Sequence, residues 1–96
     1  MLSQTPTILN VTMTSSNTEY SVSIPEGTKK MQVSTADGTA FRLAFETGKV
    51  ATPTAPYFTV PANLMLTCDD IYFDQGGTLY VGCGSAGKIA QVLTWQ

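Results

Sequence analysis

The feature that most restricts this chain is an alternation of apolar and polar residues with period two, broken at short intervals by turn residues. Side chains two apart on a β-strand share a face, so this pattern marks strands with one buried side. Tyr20, Val22 and Ile24 alternate with Ser21 and Ser23. Phe41, Leu43 and Phe45 alternate with Arg42, Ala44 and Glu46, which predicts a buried face made of the two phenylalanines and the leucine. Residues 7–14 are rich in Ile, Val and Thr, and Met31 and Val33 point away from Lys30, Gln32 and Ser34. Further short strands are expected near 57–60, 64–67, 71–73 and 78–81. Residues 88–95 close the sequence with Ile89, Gln91, Leu93 and Trp95 on one face, and the single Trp is expected in the core.

Turn chemistry separates these runs. In Pro25-Glu26-Gly27 the proline fixes its own φ and the glycine tolerates a positive one. Asp37-Gly38 is the strongest short hairpin signal, and Gly76-Gly77 turns the chain again. No stretch combines a helical i, i+3, i+4, i+7 apolar stripe with helix caps. Turns about every 8–12 residues imply roughly seven to nine short strands. The 96 residues suffice for a single domain, 1–96. One flat sheet would leave an apolar face bare, so the expected fold is all-β, a two-sheet antiparallel sandwich. Immunoglobulin-like and jelly-roll topologies both fit.

Composition bears on function. Hydrophobic residues make up 43%, enough for a globule, but charged residues only 12%, against about 25% in ordinary soluble domains. A surface poor in Lys and Glu suits one that becomes covered, because interface cores are depleted in charge. The net charge is −2, and of the basic residues only Lys29 and Lys30 are adjacent. Phosphate neutralisation needs clustered Lys and Arg, so no direct nucleic-acid partner is expected. The longest apolar runs fall well short of the roughly 20 residues of a membrane helix, and no membrane association is expected. Histidine is absent, which removes the commonest general base and metal ligand together.

Several motifs tempt a chemical reading. Residues 82–88, GCGSAGK, satisfy both GxGxxG and GxxxxGK. Both need a following helix whose N-terminal amides hold phosphate. Here KIAQVLTWQ follows with β character, and Ile89 stands where Ser or Thr would meet magnesium, so a Gly-rich loop between the last two strands is expected. Asp69, Asp70 and Asp74 lack the DxDxDG spacing of a calcium loop and read as solvated acids. Asn10-Val11-Thr12 is a chance glycosylation match within a strand. Cys68 and Cys83 have no His partner for catalysis and no companions for zinc. With no export signal at the start of the sequence, both are expected to be reduced. No catalytic residues, metal ligands or cofactors are assigned, and an enzyme is not expected.

The segment 47–57, TGKVATPTAPY, differs in kind. Pro53 and Pro56 stiffen it, and a stiff loop loses less entropy on docking. It is the candidate partner-binding arm, with Val50 and Tyr57 as apolar anchors and Lys49 as a charge. The competing reading is a crossover packed on its own domain.

Residues 19–60, EYSVSIPEGTKKMQVSTADGTAFRLAFETGKVATPTAPYFTV, resemble small accessory virion proteins of tailed bacteriophages. The resemblance is carried by EYSxxxPxGTKK, FRxAFxTGKVA, PTAPY and the terminal strand ending in Trp95. It implies a β-sandwich structural component of the virion, assembled in the host cytoplasm. Within that class it favours a capsid decoration (cement) protein that binds the major capsid protein lattice as a homo-oligomer. A neck, collar or tail component is the alternative. A carbohydrate- or receptor-binding sandwich, using aromatics such as Tyr57, Tyr72, Tyr80 and Trp95, is a reading from a different class.

Overall fold

The structure is a computed structural model and describes residues 5–96. Eight strands form: β1 (Thr7–Met13), β2 (Tyr20–Ile24), β3 (Lys30–Thr35), β4 (Phe41–Ala44), β5 (Phe58–Val60), β6 (Leu66–Cys68), β7 (Gly77–Gly82) and β8 (Lys88–Trp95). They make two antiparallel sheets of four, sheet I in the order β1-β8-β3-β6 and sheet II in the order β2-β7-β4-β5. The pairings are nested, with β1 on β8, β2 on β7, β3 on β6 and β4 on β5. The chain is therefore one long hairpin, rolled up by the additional pairs β3 on β8 and β4 on β7. This eight-stranded double sheet is the jelly-roll arrangement, which decides between the two expected topologies.

One consequence is that only β4 and β5 are neighbours both in sequence and in a sheet. Every other link crosses from one sheet to the other. The Asp37-Gly38 turn forms, with Gly38 at φ 83° and the Thr39 amide donating to Asp37 Oδ1. It is a corner between β3 and β4, however, and not a hairpin. The Gly-rich loop after Gly82 likewise links sheet II to sheet I, and β8 follows it as a strand. Residues 71–73 make no strand of their own, Phe73 forming only an isolated bridge with Thr28.

Alternation explains the core. Inward positions of sheet I supply Met13, Met31, Val33, Ala90 and Val92, and those of sheet II supply Ile24, Phe41, Leu43, Val60, Leu79 and Val81. Thr28, Thr35 and Thr94 are buried too, each donating its hydroxyl to a backbone carbonyl. Among the described residues no buried side-chain polar atom lacks a partner. Burial without such partners would cost about 1–3 kcal/mol per group.

Two expectations about the core are corrected. Phe45 is 51% exposed, because β4 ends at Ala44 and nothing pairs the chain beyond it. Its ring instead lies over the end of the sandwich, 6.2 Å from that of Phe73. Trp95 is half-buried on the outer side of sheet I, since Ala90, Val92 and Thr94 are the residues of β8 that turn inward. Lys30 Nζ sits 4.8 Å from the centroid of its ring. Cys68 and Cys83 are both free thiols.

Candidate docking surfaces

The loop between β4 and β5 is tied to its own domain over residues 47–51, while residues 52–57 are exposed. It leaves Ala44, runs back over the outer face of sheet II and returns to Phe58. Two side chains hold it there. The Glu19 carboxylate accepts from Thr47 Oγ1 and the Gly48 amide, both at 2.8 Å. Arg42, on the outward side of β4, donates through Nε to the Val50 carbonyl at 2.9 Å and through Nη2 to Asn17 Oδ1 at 3.1 Å. Gly82 makes room for this approach, because a Cβ there would meet the Val50 carbonyl oxygen at 2.9 Å.

The expected partner-binding residues are thereby divided. Val50 is fully buried, so its side chain belongs to this domain and is not a free anchor. Lys49 is half-buried. Pro53, Pro56 and Tyr57 remain exposed, but residues 50–53 are coiled into turns and the segment is no extended arm. The reason lies in residues outside the loop, two of them distant in sequence. Glu19, Arg42 and Gly82 together provide a seat that the loop's own composition does not announce.

The outer face of sheet I is different. No loop is tied across it by the side-chain hydrogen bonds of the described residues. Register places Ile8, Leu93, Gln32 and Thr67 in one row across the four strands, and Asn10, Gln91 and Ser34 in the next. Thr12 and Ile89 form a third row, and Trp95 with Lys30 completes the face. Lys30 is the only charge among these outward strand positions, and it lies over the Trp95 ring. A shallow depression of about 240 Å³ runs between Ile8, Leu93, Gln32 and Met65. Ile8 and Met65 are 67% and 53% exposed, so apolar surface stands open on an uncharged amide and hydroxyl ground. Sequence alternation groups Ile89, Gln91, Leu93 and Trp95 on one face and expects Trp95 in the core, but Ala90, Val92 and Thr94 are the residues that turn inward.

A third surface lies at the end of the sandwich where β4 leads into the loop. A cleft of about 290 Å³ has Leu43 and Ala44 as its floor, with Phe45, Pro56, Tyr57 and Phe58 as its walls. Glu46 also lines it. At the same end, Asp69, Asp70 and Asp74 are all exposed.

The comparisons with known proteins add nothing to this geometry. No family model, curated protein or solved structure matches the chain.

Elsewhere the surface holds one ion pair among the described residues, Lys88 Nζ to Asp37 Oδ2 at 2.8 Å. That contact, with two hydrogen bonds from Thr39, holds the Asp37 carboxyl down at about 2, below its ordinary 3.8. The Cys68 thiol is pushed up by burial and by the neighbouring Asp69. Among the described residues no group of three potential metal ligands comes together. Among the described residues no helix is long and apolar enough to cross a membrane.

Proposed function

We propose that this is a non-enzymatic structural protein of a virion, a capsid decoration protein that docks on the major capsid protein lattice through the outer face of sheet I. The observation that carries the reading is the near absence of charge on that face. Ten outward strand positions of β1, β3, β6 and β8 are apolar or neutral polar, and the single cation beside them is occupied by Trp95. Interfaces bury surfaces of this composition, whereas free solvent-facing sheets usually carry Lys and Glu. The resemblance of residues 19–60 to accessory virion proteins of tailed phages supports the same assignment. Jelly-roll sandwiches serve in viral capsids, but also in lectins, so the fold alone supplies no function.

Copy number tests the reading. Quantitative mass spectrometry of purified particles should find this chain at a stoichiometry matching the capsid lattice, on tailless particles as well as complete ones. A ring-sized number confined to portal or tail fractions would move it to the neck or tail. Absence from particles would sink the virion reading altogether.

A further inference from the structure

The aromatic cleft beside β5 is separate from the sheet I face, and its chemistry points to a particular occupant. Its walls are Phe45, Tyr57, Phe58 and Pro56, with both phenylalanines 51% exposed and Tyr57 40% exposed. Glu46 lines it without an ion-pair partner among the described residues. The field around it is acidic. The same end of the sandwich carries Glu26, Glu46, Asp69, Asp70 and Asp74 against Lys29 and Lys30, and Lys30 is already engaged with Trp95. Phe45 links the cleft to this cluster, since its ring neighbours Phe73, the residue before Asp74.

Exposed aromatic rings beside an unpaired carboxylate suit one side chain above others. A guanidinium stacks flat on aromatic rings, donates in a fork to a carboxylate and is less strongly hydrated than an ammonium. A neutral apolar group would fill the walls but leave Glu46 facing it unpaired. An acidic group would meet like charge. We infer that the cleft is a receptor for an arginine side chain presented by a partner protein, with the ring faces stacking on the guanidinium plane and Glu46 accepting its N–H groups. This does not depend on which assembly the sheet I face joins.

The test is an amide and aromatic NMR titration of the full chain with acetyl-Gly-Arg-Gly-amide, alongside the citrulline and lysine analogues and N-acetylglucosamine. The arginine peptide should shift Phe45, Glu46, Tyr57 and Phe58 to saturation, and added salt should weaken it. The citrulline peptide should bind at least about tenfold more weakly, as should the arginine peptide to Glu46→Gln, because each loses a charge-assisted pair. Tyr57→Ala should weaken binding without altering the spectrum of the core. Equal affinity for arginine and citrulline, shifts centred elsewhere or no shifts would overturn the inference. So would saturation by the sugar alone, which would make the cleft a saccharide site. Cleft shifts that grow with protein concentration before any peptide is added would overturn it too, assigning the cleft to a second copy of the chain.

Discussion

Phe41 and Leu43 each keep 2% of their surface exposed, while Phe45, two residues further along the same alternation, keeps 51%. Truncation cost follows burial and the cavity left behind. Phe41→Ala or Leu43→Ala should therefore remove about 2–5 kcal/mol, enough to leave so small a domain largely unfolded. Phe45→Ala should cost less than half of either in chemical denaturation, and equal losses would show that the chain beyond Ala44 stays in the core. Val50 gives a second contrast. It is fully buried while Tyr57, on the same loop, is 40% exposed. Val50→Ser gives up a fully buried apolar side chain and should lower the melting temperature by several degrees, whereas Tyr57→Ser should change it little. These two residues also mark where sequence reading stops. Alternation shows which residues share a face, and it placed Phe41 and Leu43 correctly. It does not show where a strand loses its partners, which is what expels Phe45. Nor does it reveal that Arg42, just before the loop, and Gly82, far from it in sequence, make a seat for Val50.

At the scale of the element, the loop between β4 and β5 is fixed by three contacts whose removal has distinct signatures. Gly82→Ala drives a Cβ against the Val50 carbonyl and the Thr18 carbonyl, at 2.9 and 3.3 Å, and both are backbone atoms that yield little. It should loosen residues 47–53 and the 14–19 turn together, seen as faster amide hydrogen exchange there with the β3 and β8 amides unchanged. Unchanged exchange in both segments would mean that the loop does not rest on β7. The corner between β3 and β4 is fastened differently, by Asp37 to Lys88 and Thr39. Because the folded pKa of Asp37 is depressed to about 2, its contribution to stability is present above about 3.8 and is lost as pH falls toward 2. Both groups are exposed, so the effect on stability is small. The direct reading is by NMR: in Lys88→Met the Asp37 carboxyl should titrate at higher pH, while remaining below the ordinary value because Thr39 still donates to it. An unaltered titration would remove Lys88 as the leading cause. Elements themselves are largely legible, since turns and alternation locate all eight strands within a few residues and add only one, at 71–73, that does not form. Their connectivity was not, because Asp37-Gly38 and the Gly82–Lys88 loop carry hairpin chemistry at corners between sheets.

For the whole molecule, nested pairing leaves one sheet with a loop tied over its outer side and the other open. Sheet II is shielded where Arg42, Glu19 and Val50 hold the loop, and sheet I presents Ile8, Leu93 and Met65 among neutral polar residues. The low charged fraction is a property of the whole sequence, and the fold gathers the uncharged positions on one particular face, which composition cannot show. On the function proposed above, this face is where the protein meets its lattice. Hydroxyl-radical footprinting, comparing the free chain with the chain assembled on purified particles, reads that contact residue by residue. Assembly should suppress oxidation of Met65, Ile8, Leu93 and Trp95 several-fold and leave Pro53 and Thr54 on the loop unchanged. Protection of the loop with Met65 and Leu93 as reactive as in the free protein would contradict it.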